Sequence, residues 1–125
     1  MEGLPAGVYR YEPLEGGLEA VGGAAGAIAA ATAYPELAAS ASVTVVVAAT
    51  FWRARFKYSL RAYRFTLLEA GHVAQNVLLA ATALELGAVP LGGFWDRRLD
   101  EELELDGVDR SSLYVLCVGR RNGAC

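Results

Sequence analysis

Side chains that bind metals or form disulfides are scarce in this sequence of 125 residues, which contains two cysteines, one histidine and one methionine. Cys117 lies in an apolar stretch and Cys125 is the last residue, with no CxxC spacing and only His72 to join them. Such a set is too small for a disulfide framework or a zinc site. We therefore predict a buried inert thiol at Cys117, a loose terminal thiol at Cys125 and no metal.

Long hydrophobic runs are also missing. No stretch reaches the roughly 18 consecutive apolar residues that a membrane-spanning helix needs, and the start Met-Glu-Gly has no basic region of the kind that opens a signal peptide. The net charge is −3, and the basic residues are not gathered into a stripe, so nucleic acid is not an expected partner. Yet 54% of the residues are hydrophobic and the mean hydropathy is +0.31. We expect a cytoplasmic protein whose surface is partly covered by a partner.

The strongest periodicity lies in residues 56–94. From Leu67 onward, apolar residues recur at spacings of three and four, the period of a helix face. Past His72 the other faces are apolar too, so the pattern predicts one long helix, buried by the rest of the fold and ending at Gly87. The first turns differ, because they carry Arg61, Arg64 and other polar side chains that suit a solvated or ligand-facing end.

Shorter patterns flank this helix. Alternation predicts a hairpin over residues 7–11 and 17–21, and a β-branched run predicts a strand covered on both faces over residues 43–49. Residues 88–91 and 112–118 are expected as central strands. Helices are expected over residues 24–39, with a kink at Pro35, and over residues 95–105 on the solvated surface. The predicted class is α+β, one domain over residues 1–125 with a small mixed sheet covered by helices around the long helix.

Several motifs, in this order, resemble the nitroreductase family of flavin enzymes. They are Lys57-Tyr58, Arg61-Ala-Tyr63-Arg64, Leu68-Glu-Ala-Gly-His-Val-Ala-Gln-Asn76 and Gly87-Ala-Val-Pro-Leu-Gly-Gly-Phe94. The similarity is greatest to the azoline-dehydrogenase branch, of the streptolysin-biosynthesis type, which oxidises thiazolines and oxazolines in modified peptides. Residues 3–13 and 113–120 resemble the same branch. The resemblance extends over nearly the whole chain and corresponds to the later part of a family domain, since the family's Arg-Ser-Arg signature for the flavin phosphate has no counterpart.

This resemblance implies an FMN-dependent oxidoreductase acting on a peptide or small molecule, as a homodimer or in a hetero-complex. In that chemistry FMN takes a hydride while a base removes the companion proton. The resemblance also implies a set of site residues: the catalytic pair Lys57 and Tyr58, the ring-facing loop Pro90, Leu91, Gly92 and Gly93, and Arg120 at the flavin phosphate.

The residues themselves support these roles, and each also has an ordinary explanation. Crowding by Arg55 and Arg61, together with partial burial, would favour the neutral amine of Lys57 that can act as a base, whereas a solvated helix start would have the same composition. Consecutive glycines allow close approach of a backbone to a planar ring, and they are also common in turns. A guanidinium such as that of Arg120 suits a phosphate, and basic residues also end strands in solvent.

A second function remains open from the sequence. The chain could be a non-catalytic partner subunit, or an inactive truncated form, that pairs with a polypeptide carrying the missing flavin-phosphate half. The absent Arg-Ser-Arg signature favours the partner hypothesis, and the Lys57-Tyr58 pair favours the enzyme.

Overall fold

The computed structural model describes residues 3–121, so Cys125 lies outside the described residues. A hairpin and two short helices precede a βααβαβ unit, which confirms the predicted α+β class. The elements, in chain order, are β1 (Tyr9–Glu12), β2 (Gly17–Ala20), α1 (Ala25–Ala30), α2 (Pro35–Ser40), β3 (Val43–Thr50), α3 (Phe51–Tyr58), a 3-10 turn (Ser59–Arg61), α4 (Ala62–Ala83), β4 (Leu86–Leu91), α5 (Asp96–Glu102) and β5 (Arg110–Arg120).

The sheet has the order β3-β5-β4, and β5 pairs antiparallel with both neighbours. Thr50 at the end of β3 pairs with Arg110, and Leu91 at the end of β4 pairs with Val115. Both strands therefore point toward the same edge of the sheet, but β4 stops level with Val115, five β5 residues short of the level at which β3 ends. Residues 112–118 were predicted as a central strand, and the central position of β5 confirms this. Residues 88–91 were also predicted as a central strand, but they belong to β4, an outer strand of the sheet. An edge accommodates Pro90, which has no N–H to donate to a neighbour.

The apolar run that we predicted as one helix contains two. α3 begins at Phe51 and ends before Ser59, whose φ of 52° and ψ of −129° break the helix. α4 ends at Ala83, and the positive φ of 57° falls on Glu85. Gly87, which we expected to end the helix, lies inside β4.

The prediction that the fold surrounds this long helix is wrong. The buried residues of α4 are four alanines, Ala62, Ala70, Ala74 and Ala81. Their small side chains allow the sheet to approach along one narrow stripe, whereas Leu68 and Leu79 are 56% and 59% exposed. Large apolar faces of α4 are therefore uncovered. In the part of the chain that the structure describes, no helix has the length and hydropathy to cross a membrane.

The main core lies where α1, α2 and α5 pack beside β5. Ile28, Leu99, Val115 and Cys117 are almost completely buried there. Burial raises the pKa of the Cys117 thiol, so the thiol stays protonated and poorly nucleophilic. The prediction of a buried thiol is confirmed.

The helix predicted over residues 24–39 is divided into α1 and α2 by a segment that pairs with the chain after β4. Thr32 forms an isolated antiparallel bridge with Phe94, and the Ala33 N–H donates to the Gly93 carbonyl at 2.9 Å. Pro35 begins α2 rather than kinking a continuous helix, a position where its missing N–H is tolerated. These contacts fix the residues that follow β4.

α5 is more than the solvated surface helix that we predicted. It spans Asp96–Glu102, and both Leu99 and Asp100 are buried. The Asp100 carboxylate accepts hydrogen bonds from the Ser112 N–H at 2.6 Å and the Ser111 hydroxyl at 2.9 Å. A buried carboxylate therefore attaches α5 to the start of β5.

Candidate active site at the edge where β3 and β4 end

Two of the segments predicted to form the site follow the ends of β3 and β4. β3 leads into α3, which carries Lys57 and Tyr58, and β4 leads into Gly92 and Gly93. Because β3 and β4 run in the same direction, both segments lie toward the same edge of the sheet, although the two strands end at positions five residues apart on β5. Loops that follow strand ends commonly carry binding and catalytic residues. This edge is therefore the candidate site.

An open groove of about 460 Å³ lies at this edge. Arg55 lines it together with the stacked rings of Phe51 and Tyr63, whose centroids are 5.7 Å apart. Asp96, Asp109 and residues 111–113 of β5 also line it, and the Phe51 N–H donates to the Asp109 carbonyl at 2.7 Å. The ion pairs found among residues 3–121 do not join Arg55 to either carboxylate. The groove therefore contains one basic and two acidic side chains that are not paired with each other.

The loop that carries Asp109 is held by a single side chain. Asp106 Oδ1 accepts hydrogen bonds from the backbone N–H groups of Val108 at 2.8 Å, Asp109 at 2.7 Å and Arg110 at 2.9 Å. The hydrogen bond from Arg110 is the largest of the influences that lower the pKa of Asp106. Because the ionised carboxylate is the better acceptor, its charge stabilises the loop.

Lys57 and Tyr58 contact each other, but they lie outside the groove. Lys57 Nζ is 5.2 Å from the centre of the Tyr58 ring, and the Tyr58 ring packs edge-on against Phe65 at 5.1 Å. The neighbouring Arg55 and Ser59 line the groove instead. Lys57 is exposed, so the partial burial that we expected for it is wrong within the described residues.

The four loop residues predicted to face the flavin ring differ in their surroundings. The Leu91 side chain is 5% exposed and belongs to the core, so this residue can offer a ligand little beyond its backbone. A Cβ added to Gly93 would come within 3.1 Å of the Ala33 Cβ, whereas one added to Gly92 would meet no atom within 4 Å. Gly93 is thus closely packed against Ala33, and the exposed Pro90 and Gly92 are open to a ligand.

Arg120 lies at the opposite end of the β4–β5 ladder. It pairs with Leu86 at the start of β4, whereas Leu91 pairs with Val115. Five residues of strand extend about 17 Å. A single ligand that contacts both Gly92 and Arg120 would have to extend along the ladder.

Sequence reasoning missed the groove itself. Asp96 belonged to the helix predicted on the solvated surface, and no role was predicted for Asp109. The spacing of Arg53 and Lys57, four positions apart, was an available sign of a basic pair on one helix face. Among residues 3–121, no three His, Cys, Asp or Glu side chains are arranged to hold a metal ion.

Comparison with known proteins identifies the family to which this chain belongs. Residues 5–120 match the Nitroreductase family. The chain therefore belongs to the nitroreductase family, which confirms that part of the resemblance.

Individual relatives agree with this assignment. The chain is 35% identical over 124 residues to MJ1384 of Methanocaldococcus jannaschii, named as a candidate nitroreductase, and the match covers 95% of this chain and 60% of that protein. A candidate nitroreductase from Anabaena variabilis superposes with a TM-score of 0.84 at 29% identity, over 97% of this chain and 25% of the other. A chain of the Escherichia coli microcin synthetase McbBCD complex with truncated pro-MccB17 bound gives 0.82 at 27%, over 97% and 47%. The chain thus spans 60% or less of each of these proteins.

Proposed function

We propose that this chain forms part of an FMN-dependent oxidoreductase that oxidises azolines in modified peptides. The observation that carries the proposal is the Lys57–Tyr58 contact on the helix that follows β3, at the same sheet edge as the accessible backbone of Gly92. Family membership supports oxidoreductase chemistry. The similarity to a chain of the microcin synthetase complex, which holds truncated pro-MccB17, supports the azoline branch.

The described residues fit a flavin in part. Bound FMN would accept a hydride from the substrate. Gly92 offers an open backbone to its ring, and the exposed guanidinium of Arg120 suits its phosphate. Because these two groups lie at opposite ends of a ladder about 17 Å long, we propose that a second polypeptide completes the site, so that ring and phosphate contacts come from different subunits.

Lys57 and Tyr58 would handle the proton. Oxidation of an azoline to an azole removes two hydrogen atoms, one as hydride and one as a proton. The Lys57 amine, which lies over the Tyr58 ring, would take that proton, and the Tyr58 hydroxyl would relay or donate one. A partner seated on this exposed face would exclude water from the reacting atoms.

The uncovered faces of α4 supply a reason for such a partner. Phe65, Leu68, Val73 and Leu79 are all more than a third exposed. Apolar patches of this kind mark protein interfaces, and obligate interfaces commonly bury more than about 2,000 Å². We propose that α4 packs against a second copy or a related subunit; the McbBCD complex is a precedent for the latter.

The catalytic proposal is tested by Lys57→Ala and Tyr58→Phe in the reconstituted enzyme. Each variant should abolish the loss of two hydrogen atoms per azoline, followed by mass spectrometry of the peptide. Flavin content and assembly should not change. Arg98→Ala and Tyr11→Phe are matched controls, because both side chains are exposed and distant in sequence from the pair. Unchanged oxidation by the Lys57→Ala, Tyr58→Phe double variant would refute the assignment, and flavin binding without oxidation by the native protein would favour the non-catalytic partner.

The flavin proposal is tested by two neighbouring glycines. Gly92→Val should leave the free energy of unfolding within about 0.5 kcal/mol of the native value, since its Cβ meets empty space, yet it should weaken FMN binding. Gly93→Ala should destabilise the fold by about 1 kcal/mol through overpacking against Ala33. Quenching of FMN fluorescence measures binding. No quenching by the native chain, with or without partner chains, would count decisively against the site.

A further inference from the structure

A basic row and an apolar row of exposed side chains lie on α3 and continue onto the 3-10 turn after it. In each row the first two residues are four positions apart on α3, and the third follows the break at Ser59. Phe56 and Leu60 are 92% and 91% exposed. We name this surface the basic–aromatic face, formed by Arg53, Lys57 and Arg61 with Trp52, Phe56 and Leu60.

The positive charge of this face has no internal counter-charge. Residues 50–68 contain five basic residues and no acidic residue, in a chain whose net charge is −3. None of the ion pairs among residues 3–121 involves any of the five. The Arg53 guanidinium carbon lies 5.8 Å from the Trp52 ring centre, and Lys57 lies over Tyr58. Both cations remain exposed, so an anionic partner can reach them.

We infer that the basic–aromatic face binds the substrate peptide as an extended segment with acidic side chains two positions to either side of the azoline. The inference rests on the proposed function, which supplies a peptide as the substrate, and adds the charge of that peptide. Four residues of α-helix advance about 6 Å, and alternate residues on one side of an extended chain are about 6.7 Å apart. An acidic side chain that contacts Arg53 therefore places the azoline, two positions along the peptide, beside Lys57.

A substrate occupant fits this face better than two competitors. Lys57 belongs to the basic row, so a peptide lying along the row passes the amine that we propose as the base. An anionic membrane would attract the row but would repel the rest of a chain whose net charge is −3. Residues 96–109 carry seven acidic and two basic residues, so the same segment of a second copy is the other competitor. Asp96 and Asp109 of this segment already line the groove together with Arg55 of α3.

The test is fluorescence anisotropy with three labelled peptides of equal length, carrying Asp, Asn or Lys two positions to either side of an azoline. The native protein should bind the Asp peptide about tenfold more tightly than the Asn peptide, and added salt should reduce this preference because it screens exposed charges. An Arg53→Glu, Arg61→Glu variant should lose the preference and keep its affinity for the Asn peptide. Arg98→Glu, an exposed site on α5 outside the face, should keep both.

Several outcomes would overturn the inference. The first is equal binding of the Asp and Asn peptides by the native protein, a result that does not require any variant to fold. The second is an Arg98→Glu variant that loses as much of the preference for the Asp peptide as the double variant does. Conversion of a dimer into monomers by the double variant, without an effect on peptide binding, would assign the face to a second copy. Binding to phosphatidylserine vesicles, with no binding of the Asp peptide, would assign it to a membrane.

This test is separable from that of the proposed function, because peptide binding requires neither flavin nor turnover. Charge-selective binding without azoline oxidation would refute the function and leave the peptide-binding face standing. Oxidation that is indifferent to peptide charge would refute the face alone.

Discussion

The buried Asp100 carboxylate provides a quantitative test of how α5 is attached to the sheet. Asp100 is 3% exposed and accepts two hydrogen bonds, from the Ser112 N–H and the Ser111 hydroxyl. Hydrogen bonds to a charged group contribute about 1.5–3 kcal/mol each. Asp100→Ala removes both and leaves the Ser112 N–H buried without an acceptor, while it also removes the unfavourable desolvation of a carboxylate. We expect a net loss of about 3 kcal/mol in the free energy of unfolding.

The expected change in melting temperature follows from the size of the chain. Unfolding entropies of about 2.1 cal/mol/K per residue make a 3 kcal/mol loss in a chain of 125 residues equivalent to about 11 °C. Circular dichroism during heating and in urea measures both quantities. Protein concentration must be held constant, because association shifts the apparent stability.

Three variants show whether the two hydrogen bonds are the cause. Asp100→Asn keeps an acceptor for the Ser112 N–H and should lose about half as much as Asp100→Ala. Ser112→Ala should be neutral or slightly stabilising, because the Ser112 hydroxyl is buried with no hydrogen-bond partner among the described residues. Asp109→Ala, at an exposed carboxylate, should stay within about 0.5 kcal/mol of the native protein. A loss below about 1 kcal/mol for Asp100→Ala would refute the reasoning.

Two further predictions concern assembly and acid stability. Leu68→Asp and Leu79→Asp should lower the sedimentation coefficient, because they place charge on the exposed faces of α4. Leu14→Asp, on the turn between β1 and β2, should leave it unchanged. A native protein that is a stable monomer at micromolar concentration would refute the assembly proposal. The hydrogen bonds that Asp106 accepts hold its pKa below the ordinary value of 3.8, so the stability that it contributes is complete above that value and is lost as the pH falls through the lower folded-state pKa. Thermal unfolding of Asp106→Asn should therefore show a smaller decline between about pH 5 and pH 2.5 than the native protein, and an unchanged decline would exclude Asp106 as a cause.

Local sequence patterns were enough to predict several of the strands. Alternation along residues 7–11 and 17–21 was enough for the β1–β2 hairpin, and the apolar run after Ser112 was enough for the central strand. The break at Ser59 could not be predicted, because no glycine or proline accompanies its positive φ. The environment of α4 could not be predicted either. A helix that is apolar all round is consistent with a core or with an uncovered interface, and its sequence does not distinguish them.

The part of the candidate site that is formed by neighbours in sequence could be predicted. Lys57 and Tyr58 are adjacent, and their contact needs no tertiary information. The different roles of Gly92 and Gly93 depend on Ala33, which is distant in sequence and reaches Gly93 through the pairing of Thr32 with Phe94. The groove likewise depends on α3 and the loop before β5 meeting across the sheet edge. Such contacts leave no local pattern for sequence reasoning to use.

The central position of β5 has a consequence for how the chain folds. β3 and β4 pair with β5 and not with each other, so neither has a partner within this sheet until β5 has been synthesised. The interval between Thr50 and Arg110, which pair at the ends of their strands, takes about 3–12 s at the usual 5–20 residues per second. During that time the β-branched segment Val43–Thr50 is an unpaired strand of the kind that associates with other chains. We therefore expect yield during synthesis to depend on protection of this one strand, even where the finished fold is stable.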